Sequence, residues 1–152
     1  MIGPVSAVLL HWHRTYHLLA QIEALRTVPE VKDIVVYKND VASQDELTAL
    51  VEMSATLDFR LCYSRENLCT LGRVRGCLEA RCEHVLVVDD DLTVHNIPAL
   101  LEAYDGTKII ANLADDASSK HWQFWQRDPK PYVELGFGSV FPRQFAIDYL
   151  AM

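Results

Sequence analysis

The sequence predicts an α/β fold, a mostly parallel sheet with helices on both faces. Strand-like and helix-like segments alternate at least four times along the 152 residues, the pattern that parallel sheets with crossover helices leave in a sequence. Residues 85–88 (Val-Leu-Val-Val) are uninterruptedly apolar and mostly β-branched, as expected of an inner strand covered on both faces. Three polar turns, 11–14, 38–40 and 89–91, each follow a predicted strand directly. In open sheets of this class ligands bind beyond the carboxyl ends of the strands, so the three turns are predicted to converge on one site.

Taken in order, residues 5–10 (Val-Ser-Ala-Val-Leu-Leu) read as a first buried strand. Thr15 is predicted to cap a helix over roughly 16–27, where Leu18, Leu19, Ile22, Leu25 and Arg26 keep a helical period, and Pro29 ends it. Residues 33–37 form the second strand, followed by the polar turn Lys38-Asn39-Asp40. Ser43 caps a helix over about 44–53, with Leu47, Leu50 and Val51 facing inward. Residues 57–63 alternate as a third strand, and the loop Ser64-Arg-Glu-Asn67 leads into a helix over about 70–82. The central strand 85–88 then runs into the acidic triplet.

Asn96 is expected to cap a short helix to about Tyr104, with Pro98 in its first turn. Residues 107–113 are a further predicted strand. The stretch 114–131 is polar around an aromatic cluster, Trp122, Phe124 and Trp125. Residues 132–141 read as extended, and Pro142 is expected to open a terminal helix to about Leu150. No internal repeat, low-complexity segment or interdomain linker interrupts the chain, so residues 1–152 read as a single domain.

Composition narrows the function classes. Half of the residues are apolar and 23% are charged, enough to build a core and too apolar for a disordered chain. The net charge of −7 argues against a nucleic-acid backbone as the main partner. No apolar run approaches the ~20 residues of a membrane span. Met1-Ile-Gly-Pro is not the start of a signal peptide, so the chain reads as soluble. Cys62, Cys69, Cys77 and Cys82 form no CxxC and no zinc-finger spacing. Reduced thiols are the expectation, a disulfide remaining open for a secretory context.

The chemistry concentrates at Asp89, Asp90 and Asp91. Three adjacent carboxylates repel one another unless a positive charge sits among them, most simply a hard divalent cation with oxygen ligands. The bland alternative is an acidic cap on a strand–helix junction. Arg14, Arg73 and Arg75 are candidates to meet phosphate oxygens, because a guanidinium offers a planar two-donor fork; a solvated basic face is the competing reading. His11 and His13 flank Trp12 and would share a face of an extended strand, but no third metal ligand is evident. Gly136-Phe-Gly-Ser139 is a lone GxG and weak as a nucleotide motif.

The series Leu10-His-Trp-His-Arg14, Val35-Val-Tyr-Lys-Asn-Asp40, Asn67 with Arg73, and Val88-Asp-Asp-Asp-Leu92 resembles the exostosin-type glycosyltransferases, family 64. The resemblance extends from about residue 5 to residue 150 and is strongest over 67–92. It implies a GT-A fold (nucleotide-diphospho-sugar transferase, Rossmann-like) and a metal-dependent transfer of sugar from a UDP-sugar donor to a glycan or other hydroxyl acceptor, with Mn²⁺ or Mg²⁺ as cofactor. Carried onto this chain, it implies Asp91 as metal ligand, joined by Asp89, with Asp89 and Asp90 at the sugar-nucleotide. Arg14 and Arg73 would meet the diphosphate; Asn39 and Asn67 read equally as contacts to the uracil or ribose edge and as turn formers. The small-residue turn at 136–139 would line the donor sugar, with the acceptor lodged among residues 115–139; Trp122 and Trp125 read equally as a platform for a sugar acceptor and as core.

Related enzymes carry a further acidic motif downstream, and neither Glu134 nor Asp148 matches it. The chain therefore reads as C-terminally short, no catalytic base is assigned, and a donor- or glycan-binding module of the same fold is the alternative. Two other readings fit less well. A receiver domain would need a later phosphoacceptor Asp strand and Lys strand, and a nucleotidyltransferase a Gly-rich loop after strand one.

Overall fold

A computed structural model describes residues 2–91, 96–111 and 136–152. Its elements run β1 (Val5–His11), α1 (Thr15–Arg26), β2 (Val31–Lys38), α2 (Gln44–Leu57), β3 (Arg60–Tyr63), α3 (Leu71–Leu78), β4 (His84–Asp89), α4 (Ile97–Ala103), β5 (Ile110–Ala111), β6 (Phe137–Pro142) and α5 (Gln144–Ala151). The six strands form one sheet in the order β3-β2-β1-β4-β6-β5. β1, β2, β3 and β4 are mutually parallel, and β6 runs antiparallel to both β4 and β5. The predicted mostly parallel α/β sheet is what forms.

The pleat divides the strand residues between two cores. Val5, Ala7 and Leu9 of β1, Ile34 and Val36 of β2, and Leu86 and Val88 of β4 point to one face. They pack there with Leu18, Ile22 and Leu25 of α1, Leu50 of α2 and Leu100 of α4. Val8, Val35, Val85 and Val87 point the other way, against Val74 and Cys77 of α3 and Ala146 of α5. Helices thus cover both faces, and β1 and β4, buried on each side, read as continuous apolar runs for that reason.

α3 lies unusually close to the sheet because two glycines face it. A Cβ at Gly76 would stand 2.6 Å from Val8 Cγ1, and one at Gly72 would stand 2.9 Å from Leu10 Cδ1. Real Cβ atoms do not approach so near, so the glycines set the helix–sheet spacing. That spacing carries Arg73, one residue after Gly72, to the end of β4.

Several boundaries differ from the sequence expectation. Arg14, not Thr15, is the N-cap of α1, and no side chain caps it; the Thr15 hydroxyl is within 3.2 Å of His11 Nε2 instead. α2 continues four residues beyond its expected end, to Leu57, because nothing between 53 and 57 breaks a helix; Asp58 then closes it in the left-handed conformation with φ 46°. Ser43 caps α2 as expected, accepting from Glu46 N–H. Leu19 and Val51, assigned inward by period, are exposed. β3 is confined to Arg60–Tyr63 and α3 to Leu71–Leu78. Pro142 ends β6 rather than opening α5. The segment 114–131, with Trp122, Phe124 and Trp125, lies outside the described residues. Among the described residues no helix is long and apolar enough to cross a membrane.

Candidate functional site

Register places the three polar turns together. His11 pairs with Lys38 across β1 and β2, and Leu10 pairs with Asp89 across β1 and β4. Three parallel strands therefore end side by side, and the turns after them form one polar rim. The three carboxylates of the triplet leave that rim in three different directions.

Asp89 faces α3. Arg73 grips it with one edge of its guanidinium, Nε donating to Oδ1 at 2.7 Å and Nη2 to Oδ2. Backbone fixes the same residue: Asp89 N–H donates to Gly136 O at 3.0 Å, and Gln21 Nε2 donates to Asp89 O at 2.8 Å. A Cβ at Gly136 would overlap the Asp89 carboxylate and come within 2.9 Å of Arg73 Nη2. Only glycine leaves room for this pair.

Asp90 turns into the chain. Its residue is only 6% exposed, and Oδ2 accepts the backbone N–H groups of Trp12, His13 and Arg14 at 2.8, 3.1 and 3.2 Å. Arg14 Nη1 donates to the other oxygen at 3.2 Å. Burial opposes ionisation of this carboxyl, but the three N–H donors outweigh it and hold its pKa below the ordinary value. The family resemblance implies Asp90 at the sugar-nucleotide; in the structure its oxygens are engaged with the turn after β1. Three consecutive amides gathered on one anion are how a chain fixes a turn.

Asp91 faces out. Its side chain is 49% exposed, and Arg14 Nη1 lies 3.4 Å from Oδ2. Arg14, itself 44% exposed, thus bridges Asp90 and Asp91.

Beneath the rim lies a buried polar layer that sequence reasoning did not find. Lys38 is fully buried, donating from Nζ to Trp12 O, to Asn39 O at 3.3 Å, and pairing with Glu46 at 3.0 Å. It ties the first turn, the second turn and α2 together. His11 is equally buried, with Nδ1 3.7 Å from Asp90 Oδ2. Burial foremost, then the neighbouring Lys38 charge, lowers its pKa to about 4, against the opposing pull of Asp90. His11 is therefore a neutral packing residue near neutral pH. The strand ends at His11, so His13 never joins it on a common face. The signal for this layer was a lysine and a histidine at matching strand ends, which composition alone reads as solvated.

Asn39 and Asn67 do come together. Asn39 is buried, donating from Nδ2 to Asn67 Oδ1 at 3.0 Å and accepting from Leu68 N–H at 2.8 Å. Asn67 Oδ1 also accepts from Cys69 N–H at 2.8 Å, and Asn67 as a residue is exposed. The pair bridges the second turn to the N-terminal end of α3. Arg75 is exposed on α3 and makes no hydrogen bond or ion pair with the triplet. All four cysteines are free thiols, and burial pushes the Cys77 thiol up to about 12, out of reach of neutral-pH chemistry.

A divalent cation fits the donors present. Among the described residues no three acidic, His or Cys side chains converge as a self-contained metal cage. What the rim offers is an outward carboxylate, Asp91, with oxygen donors only. A hard cation held by a single carboxylate takes its remaining ligands from water and phosphate oxygens, the usual manner of Mg²⁺.

No known family model matches the sequence, and no curated protein matches it. Solved structures do match in fold. The mannosyltransferase PcManGT of Pyrobaculum calidifontis, in complex with GDP-Man and Mn²⁺, superposes with a TM-score of 0.69 at 14% identity over 98% of this chain. Glucosyl-3-phosphoglycerate synthase of Mycobacterium tuberculosis, with Mn²⁺, UDP-glucose and phosphoglyceric acid, gives 0.66 at 12% identity over 93%. TarS of S. aureus gives 0.60 at 15% identity over 96%. The chain spans about half the length of these proteins, 47%, 57% and 49% respectively. The likeness is one of fold: the chain has the mostly parallel α/β sheet of GT-A type that these glycosyltransferases share.

Proposed function

We propose that this chain is the donor-binding part of a metal-dependent glycosyltransferase that moves a sugar from a UDP-sugar to a glycan or other hydroxyl acceptor. One observation carries the reading. The ends of three parallel strands converge on a rim where Asp91 is outward and two arginines stand beside the acidic triplet. The Mn²⁺ and sugar-nucleotide complexes of the structural neighbours support the same class of reaction. The residue series over 10–14, 35–40, 67–73 and 88–92 supports an exostosin-like, family 64 enzyme within that class.

In this reading Asp91 is the protein's ligand to Mn²⁺ or Mg²⁺, which supplies Lewis-acid stabilisation of the departing diphosphate. Asp89, held by Arg73, is assigned to the ribose or a metal-bound water. Arg14 offers donors to the diphosphate, and Asn67, steadied by Asn39, offers its amide to the uracil or ribose edge. Asp90 contributes by fixing the turn from which Arg14 projects.

Calorimetric titration of UDP with and without Mn²⁺, on the wild type and on Asp91→Ala, tests the reading. Metal-dependent binding lost in the variant supports it. Equal binding in both proteins, or none in either, removes the metal–nucleotide site at Asp91.

A further inference from the structure

We propose that Arg14 is a tethered counter-cation that competes with the divalent ion for Asp91, and so couples metal binding to diphosphate binding. The proposal rests on the metal–nucleotide reading above and deepens it.

The geometry begins with Asp90. Its buried Oδ2 collects the N–H groups of Trp12, His13 and Arg14, so the backbone at residue 14 is immobilised where the guanidinium reaches the triplet. One nitrogen, Nη1, then meets Asp90 Oδ1 at 3.2 Å and Asp91 Oδ2 at 3.4 Å. The Asp90 arm is nearly buried and the Asp91 arm half exposed. The two contacts are therefore unequal: the first anchors the group, and the second is a solvent-screened ion pair that is easily exchanged.

A cation arriving at Asp91 meets a carboxylate already paired with a fixed positive charge. Metal alone must displace the guanidinium and endure its repulsion. A metal–diphosphate complex brings several phosphate oxygens, better partners for a guanidinium than a single carboxylate, and takes Arg14 over as it takes Asp91. The ion and the nucleotide then favour one another's binding through one side chain, and linkage makes the effect reciprocal. Arg73 is held differently: the Nε–Nη2 edge of its guanidinium is bidentate on Asp89 beside Gly136, a contact less easily exchanged than a single ion pair.

The test is calorimetric titration of Mn²⁺ without nucleotide, and of UDP at saturating Mn²⁺, on the wild type, Arg14→Ala, Arg14→Lys and Lys108→Gln. Lys108 is exposed and pairs with Asp105, so its variant removes one positive charge without touching the triplet. Arg14→Ala is expected to bind Mn²⁺ alone about threefold more tightly and UDP in Mn²⁺ about tenfold more weakly, opposite changes that a merely structural arginine would not produce. Arg14→Lys should fall between, and Lys108→Gln should match the wild type. Thermal melts confirm that each variant is folded. Mn²⁺ affinity that is unchanged or weaker in folded Arg14→Ala overturns the coupling while leaving the Asp91 site standing. Nucleotide binding indifferent to Mn²⁺ and to Asp91→Ala overturns both.

Discussion

The two ends of the sheet carry the same kinds of residue and use them differently. At the amino end, Asp33 accepts from Arg60 Nε at 3.0 Å and Nη2 at 2.7 Å, from Ser6 Oγ at 2.7 Å and from Arg81 N–H at 3.1 Å. Ser6 Oγ in turn accepts from Cys82 N–H at 3.0 Å. Every oxygen is used inside the chain, and the cluster staples β1, β2, β3 and the segment after α3. At the carboxyl end, Asp90 is satisfied in the same way, but its neighbour Asp91 is left half in solvent. An acid–arginine pair is not a site by composition. What marks the carboxyl end is a graded set of carboxylates, from fully engaged to outward.

Four measurements would break or sharpen this contrast. Removing the closed cluster should cost most: Asp33→Ala strands Arg60, Ser6 and a backbone amide, and is expected to destabilise the fold by about 3–5 kcal/mol. Chemical denaturation reads that loss, and UDP binding to the remaining folded protein should be unaltered. If nucleotide affinity falls as well, the two ends are not independent.

The next effect concerns pH. His11 titrates near 6.5 when unfolded and at about 4 in the fold. Between those values the unfolded chain binds the extra proton, so stability falls as pH drops through that window, by about 3 kcal/mol in all. Asp33 and Asp90, both lowered in the fold, add their losses only further down, beneath the unfolded carboxylate value. His11→Gln should therefore flatten the stability profile between pH 6.5 and 4 and leave the steeper acid limb. A profile unchanged by the substitution would mean that the buried imidazole is not what the acid attacks.

Asp91→Ala comes third and reverses the pattern of Asp33→Ala. Stability should move by less than about 0.5 kcal/mol, as for an exposed side chain. UDP affinity in Mn²⁺ should fall on the order of 100-fold, about 2.7 kcal/mol, the scale of losing a metal contact. Smallest is Gly76→Ala. Its methyl presses on Val8 Cγ1 and Tyr37 Cβ, and overpacking of this kind costs about 1–2 kcal/mol. UDP binding measured beside the melt would show whether the shift of α3 reaches Arg73.

How much of this was legible depends on what each residue answers to. The runs at 5–10 and 85–88 announce inner strands because both their faces are covered. The convergence of 11–14, 38–40 and 89–91 follows from parallel topology alone. Other features depend on neighbours far along the chain. Asp90 and Asp91 are identical in sequence, and only the amides of Trp12 to Arg14 decide that one turns inward. Lys38 reads as a surface turn residue until Glu46 and the Trp12 carbonyl are placed around it. The direction of β6 leaves no trace in its apolar content. Gly72 and Gly76 sit at a helical i, i+4 spacing that a search for close helix–sheet contact would have noticed.

Gly136 gives the site a simple diagnostic. Because the atom that any other amino acid would add there falls on the Asp89–Arg73 pair, the three positions are exchangeable only together. A related sequence that keeps the acid and the arginine but has lost the glycine must either rebuild that corner or forgo the pairing. One letter, read at the entry to β6, thus reports on a bond formed by residues 63 and 47 positions earlier.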